Sequence, residues 1–194
     1  MTMRNFFRWV PVASGFLVLV LSMFVAVFTV SSRNSKGNIA TTQNLSTKAA
    51  DQFASLSFSP ATGEYTYSSG ATYPVGIVLD SAGKSVDGVD VIVKFDPKKV
   101  QVVSSKVATT SLFQEFPLNL IDNVLGQIKF SGLTFNSRPV TGIIGTFTFR
   151  PLAKGTVNLT FDYTFGSTKD SNVAEHGSAK DVLGQVTNGS YIFK

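Results

Sequence analysis

Cysteine is absent from the 194-residue chain. Disulfide frameworks, thiolate metal sites, cysteine nucleophiles and acylation at a cysteine are therefore all excluded. Histidine occurs once, at His176, so no His-rich metal site can form and any His-dependent catalytic triad would have to use that residue. Tryptophan also occurs once, at Trp9. Charge is scarce: Asp, Glu, Lys and Arg make up 15% of the residues, against about 25% in ordinary soluble domains. The net charge of +5 is concentrated before residue 53, where Arg4, Arg8, Arg33, Lys36 and Lys48 face Asp51 alone. From residue 53 onward basic and acidic side chains nearly balance. No clustered Lys/Arg footprint remains to engage nucleic acid.

One long hydrophobic run is present. Residues 10–30 read VPVASGFLVLVLSMFVAVFTV and carry no charge. As a helix rising about 1.5 Å per residue, this segment spans roughly the 30 Å of a bilayer core. Pro11 falls in the first turn, where its missing N–H costs little, and Trp9 falls at the expected membrane interface. A cleaved signal peptide is the alternative. Its apolar region is usually shorter, and Phe28-Thr29-Val30 lacks small residues at the positions a signal peptidase reads. A pilin-type leader would need a Glu near the start of the helix, and there is none. The expectation is a single-pass signal anchor over residues 10–30 behind a short cytoplasmic head, residues 1–9. The bulk of the chain then lies on the outer face of the membrane. Residues 31–52, SSRNSKGNIATTQNLSTKAADQ, have almost no large apolar side chains and predict a flexible spacer.

From Phe53 the pattern switches to period two, and residues 53–194 predict a separate domain. Strands are expected over 54–58, 73–80, 89–96, 100–103, 118–122, 127–134, 143–151, 156–163 and 190–193. Pro74 marks an edge or kink at the start of the second of these, and a helical turn is expected around 111–116. Residues 89–96 form the clearest strand. Val89, Val91, Val93 and Phe95 point to one side, and Asp90, Ile92 and Lys94 to the other. About nine short strands and no convincing helix predict an all-β, antiparallel β-sandwich, large enough to fold without a disulfide or metal staple.

Four stretches in order resemble the cohesin domain, the receptor module of cellulosome-type surface assemblies. They are SFSPATG with VGIVLD (57–63 and 75–80), GVDVIVKFDPKKVQVV (88–103), GTFTFRPLAKG (145–155), and DSNV with DVL (170–173 and 181–183). The second is the strongest, an alternating strand, an aromatic-Asp-Pro turn and a return strand ending in Val-Val. The resemblance extends over about residues 54–193. It implies a jelly-roll sandwich of about nine strands that binds dockerin modules, within a wider fold group that includes cellulose-binding modules. Dockerin-binding cohesins often open the third strand with Asn-x-Asp. Here Asp90 matches the Asp, and Gly88 stands where the Asn would be.

Three candidate sites follow. Asp90, Ile92 and Lys94 form an outward stripe with an apolar centre between charges, suited to docking a protein partner. Asp170, Asn172 and Asp181 offer oxygen ligands of the kind Ca²⁺ takes, although the spacing is not an EF-hand loop. Turn formation through local side-chain bonds is the simpler account of these residues. Tyr65, Tyr67, Tyr73 and Phe135 could stack on sugar rings, but aromatics at strand positions more commonly pack in a core or across strands. No Gly-x-Ser-x-Gly elbow accompanies His176, which is expected on an exposed loop. The functional expectation is a non-catalytic, membrane-anchored surface module binding a dockerin-like partner. A polysaccharide-binding module and a self-assembling structural surface protein are the alternatives. If the stripe fails, the loops at 106–117 and 166–184 are the next docking candidates.

Overall fold

The computed structural model describes residues 53–107 and 113–194. The expected head, membrane segment and spacer, together with residues 111 and 112 of the expected helical turn, lie outside the described residues. Among the described residues there is no helix, and hence none long and apolar enough to cross a membrane. Ten strands follow in chain order: β1 (Ala54–Ser59), β2 (Thr62–Tyr65), β3 (Tyr73–Phe95), β4 (Val100–Val107), β5 (Glu115–Asp122), β6 (Gln127–Pro151), β7 (Gly155–Phe161), β8 (Asn172–Glu175), β9 (Leu183–Thr187) and β10 (Gly189–Phe193).

Two strands differ most from expectation. The stretches expected as separate strands at 73–80 and 89–96 belong to one strand, β3. Those at 127–134 and 143–151 belong to β6. The two are antiparallel partners from Tyr73↔Phe149 to Lys94↔Gln127. The pairing slips between Asp80 and Ser85, where Ala82 (φ 52°) and Gly83 (φ 79°) take left-handed conformations. This bulge bends the ladder, and its polar groups are satisfied. Asp80 accepts from the Ala82 N–H at 2.9 Å and the Thr141 hydroxyl at 3.1 Å, and the buried Ser81 hydroxyl accepts from the Val140 N–H at 2.9 Å. Each long strand thus serves two layers. One layer joins β9, β1, the first part of β3, the second part of β6, and β4. The other joins β5, the first part of β6, the second part of β3, and then β7 and β8.

The expected turn at 111–116 is not helical over the residues described. Phe113 is buried without regular structure, and β5 begins at Glu115. Pro117 is accommodated because β5 is an edge strand and its pairing with β6 is irregular between Glu115 and Leu118. The sheet is also not wholly antiparallel. β1 runs parallel to β9, and β2 parallel to β10. Period-two alternation reports which face a residue takes and is silent on strand direction.

The core lies between the layers. Val91, Val93 and Phe95 are buried, as are Ile128 and Phe130 of β6, Val157, Leu159 and Phe161 of β7, and Leu56 and Phe58 of β1. Phe58 joins the layers, stacking on Phe161 at 4.3 Å and meeting Phe147 edge-on at 6.1 Å. Val93→Asp is expected to abolish the cooperative melt, because it places an unpaired charge among these side chains. Ile92→Asp should melt within a few degrees of the parent. Thermal circular dichroism of the two variants checks this, and the reverse order would mean that the faces of the strand are assigned wrongly.

Candidate functional site

The outward surface of the second layer follows from its register. Asp90 pairs with Ser131, and Ser131 with Leu118. Ile92 pairs with Lys129, and Lys129 with Leu120. On the far side of β3, Asp90 pairs with Asn172 of β8. These residues surround a hollow of about 120 Å³, lined by Asp90, Ile92, Leu118, Lys129, Ser131 and the 168–170 segment. Leu118, Leu120 and Leu133 remain 41–49% exposed and Phe135 82%. In a charge-poor domain this is a concentration of apolar surface on one sheet.

Of the sequence-predicted stripe, Asp90 and Ile92 line this hollow. Asp90 is held on both oxygens: Oδ1 accepts from the Ser131 hydroxyl, and Oδ2 from the Asn172 amide at 3.3 Å. Ile92 is half-buried. Its backbone N–H donates to the Ser171 hydroxyl at 3.0 Å, and its carbonyl accepts from the Asp162 N–H at 2.8 Å. Lys94 lies outside the hollow, in an ion pair with Asp162 at 2.7 Å. Lys129 and Lys169 both line the hollow with Ile92, and neither forms an ion pair among the described residues. Lys129, Ser131, Leu118, Leu120 and Leu133 were not anticipated. Alternation at 118–122 and 127–134 hinted at them, but which side faces outward depends on the pairing with β3.

Gly88, the position where Asn might stand, has a physical reason. A Cβ there would come within 3.1 Å of Leu133 Cδ2 and 3.2 Å of the Gly132 carbonyl. A larger residue at 88 would require Leu133 and the Gly132 carbonyl to give by a few tenths of an ångström.

The calcium candidates are brought into one segment. Asp170 is buried, and its carbonyl accepts from the Asn172 amide at 3.1 Å. Asp181 Oδ1 accepts from the N–H groups of Val173 at 2.9 Å and Leu183 at 3.0 Å. Asn172 spends its amide on Asp90 and on the Asp170 carbonyl. Tyr65, Tyr67 and Tyr73 pack against the core. Tyr65 meets Tyr73 at 4.7 Å and Phe193 at 5.5 Å, so these rings face other rings. Only Phe135 of the four sugar-stacking candidates is widely exposed.

His176 sits in a turn with its side chain 60% exposed, and its Nδ1 meets Asp87 Oδ1 at 2.8 Å. The Ser137 hydroxyl donates to that same Asp87 oxygen. The acid therefore lies between the hydroxyl and the imidazole, whereas a nucleophile needs the imidazole in the middle. The hydrogen bonds from Ser137 and then His176 hold Asp87 below the ordinary carboxylate range, and those from Ser178 and then Lys84 do the same for Glu175.

No protein-family model matches the sequence, and no curated protein matches it. The fold does match solved structures. One is a type I cohesin–dockerin complex from Clostridium thermocellum, with 13% identity over 76% of this chain and 97% of that one, at a TM-score of 0.59. A second is the third cohesin of ScaC from Acetivibrio cellulolyticus, in complex with the ScaB dockerin, with 14% identity over 73% and 99%, at 0.58. A third is a non-cellulosomal cohesin from the hyperthermophilic archaeon Archaeoglobus fulgidus, with 12% identity over 74% and 92%, at 0.54. The chain thus has a cohesin-like β-sandwich fold.

The depressed carboxyls at 87 and 175 give a pH dependence of defined sign. A group with a lowered folded-state pKa contributes stability above its unfolded value, and that contribution is lost as pH falls through the folded value. Urea midpoints should therefore drop below about pH 4, starting near the ordinary Asp value of 3.8. Asp87→Asn should flatten part of that slope, and an unchanged slope would remove Asp87 from the account.

Proposed function

We propose that this chain is a non-catalytic docking module that receives a dockerin-like partner on the outer face of β8, β3, β6 and β5. The observation that carries the reading is the hollow lined by Asp90, Ile92, Leu118 and Lys129, with exposed Leu120 and Leu133 on the same outward side of the strands. Two of the solved structures with this fold are complexes with dockerins, and the dockerin in one of them has a C-terminal helix. A helix laid across the sheet would set apolar side chains on the three leucines and Ile92. Asp90 and Lys129 would fix its direction by charge. Asp90 is preorganised for this role, because Ser131 and Asn172 hold it in place before any partner arrives. The polysaccharide reading is less favoured, because Tyr65, Tyr67 and Tyr73 pack against the core and Phe135 alone of the four candidates is widely exposed.

The face can be tested by titrating purified dockerin modules against the full chain and its variants. Ile92→Asp and Leu120→Asp should each weaken binding by about 30-fold or more, since a charge at a dehydrated hot spot costs at least about 2 kcal/mol. Leu152→Asp, in the turn between β6 and β7, should leave binding unchanged. Retention of insoluble polysaccharide with no dockerin affinity would overturn the reading.

We further propose that residues 10–30 anchor this module in a membrane, with residues 31–52 as its tether and the sandwich outside the cell, on a bacterial or archaeal surface. The uncharged 21-residue run and the polar stretch after it support this. The protein should stay in the membrane fraction after alkaline carbonate washing, and external protease should reach the domain in intact cells. Recovery of a soluble mature chain starting near residue 31 would show a cleaved signal instead.

A further inference from the structure

We propose that the turns at the end of the sandwich away from the bulge seat on an anionic lipid surface, which Val124 and Leu125 enter as an apolar tip. Both ends of the β3–β6 ladder, Tyr73↔Phe149 and Lys94↔Gln127, lie at this end. Val124 is 86% exposed and Leu125 70%. Single exposed aliphatic residues are ordinary, but these two stand side by side on a turn that is fixed along its length. Asp122 Oδ1 accepts from the Val124 N–H at 2.9 Å and the Leu125 N–H at 2.8 Å. Asn123 is clamped to Val102. The Gly126 carbonyl accepts from the Phe95 N–H at 2.8 Å. A turn ordered beforehand loses little entropy when its apolar side chains are buried.

Two further turns pack beside it. A Cβ at Gly126 would collide with the Phe95 carbonyl and with Pro97 Cδ, so the β3–β4 turn lies directly against the tip. The Leu152 N–H donates to the Lys99 carbonyl at 2.8 Å, which joins the β6–β7 turn to the same group. Lys98, Lys99 and Lys154 belong to these turns, and none forms an ion pair among the described residues. The acids of the turns cap their own backbone. Asp96 accepts from the Lys98 N–H at 2.9 Å, as Asp122 does in its turn. Lys99 and Lys154 line one hollow of about 250 Å³ with Thr156, a donor set that suits a phosphate headgroup. Apolar side chains in the headgroup boundary beside unpaired lysines make an interfacial membrane contact, and each lysine is worth about fivefold in affinity for an anionic surface. Two aliphatic side chains on a convex tip fall far short of the roughly 800 Å² that each partner gives to a stable protein interface. A bilayer needs no matching shape. The inference rests on the proposed anchor to bring lipid within reach. β1 begins at the bulge end, where Ser55 pairs with Asp80, so the domain must turn over to set the tip down. Residues 31–52 reach at most about 75 Å when extended, which leaves slack for that.

The chain has no cysteine, so Ala153→Cys carries a single environment-sensitive dye beside the tip without altering it. The labelled full chain is reconstituted in vesicles of phosphatidylcholine alone or of an equimolar mixture with phosphatidylglycerol. With phosphatidylglycerol the emission should shift to the blue and be quenched by doxyl-labelled lipid. Phosphatidylcholine alone should give neither effect. Val124→Ser with Leu125→Ser should abolish both, and so should Lys98→Gln, Lys99→Gln and Lys154→Gln together. All these side chains are on exposed turns, so the melting temperature should not change. A dye at Phe135→Cys, on the far part of β6, should not respond. No response with phosphatidylglycerol, an equal response in phosphatidylcholine alone, or a response retained in the Val124→Ser, Leu125→Ser chain would each overturn the contact. Flotation of that serine variant reads the anchor separately, since residues 10–30 should still hold it to the vesicles. If it leaves them the anchor has failed, and the dye on the parent chain still decides the tip.

Discussion

The hydrogen-bonded ladder between β3 and β6 is the constraint on which the rest of the domain depends. It runs from Tyr73↔Phe149 to Lys94↔Gln127 and passes through both layers. β1, β7 and β8 attach to β3, and β4 and β5 attach to β6. A slip of one residue would turn Val91, Val93 and Phe95 outward and bring Asp90, Ile92 and Lys94 into the core. The bulge at 81–84 prevents such a slip from spreading along the whole strand. Its left-handed residues and the buried Ser81 hydroxyl fit only one alignment with Val140. One ladder therefore defines both the hydrophobic interior and the exposed docking candidate, because they are opposite sides of the same strands.

The ends of the domain close around this ladder. β1 lies beside β9 and β2 beside β10, each pair parallel, so the first and last strands run together. Tyr191 is buried in this seam and donates to the Pro60 carbonyl at 2.7 Å. The seam joins segments separated by more than a hundred residues, so little in the local sequence announces it. β10 also pairs with β7, which brings Val157 and Leu159 against Tyr191 and Phe193. Burial of these rings completes the core at the end away from the bulge.

What the sequence made legible follows the physics of alternation. Residues 89–96 separated cleanly into buried valines and outward Asp90, Ile92 and Lys94, because a half-buried strand needs an apolar residue at every second position. The all-β class was legible for the same reason. The continuity of β3 and β6 was not, because Asp80, Gly83 and Asp87 resemble turn residues and only the tertiary pairing shows them inside a bent strand. The short β2, β8 and β9 have too few alternating positions to stand out. Asn123 is another case. Its amide grips both the N–H and the carbonyl of Val102, at 2.8 and 2.9 Å, and so fixes β4 against the β5–β6 turn. Such a clamp has no sequence period. On the candidate docking face, Asp90 and Ile92 were legible from one strand, whereas Leu118, Leu120, Lys129 and Leu133 required knowing which strands lie beside it.

The segment after β7 is tied to the second part of β3. Ser171 is fully buried and bonds both the N–H and the carbonyl of Ile92, at 3.0 and 3.2 Å. One residue on, Asn172 reaches Asp90; one residue back, Asp170 is buried with an unbonded oxygen. Three consecutive residues thus tie this segment to Asp90 and Ile92 at the centre of the sheet face. Any force that orders this segment also fixes the carboxylate of Asp90, since that carboxylate has only Ser131 and Asn172 to orient it. The geometry of the face is therefore set partly by the segment after β7, whose Ser171 and Asn172 hold Ile92 and Asp90, and not by β3 alone.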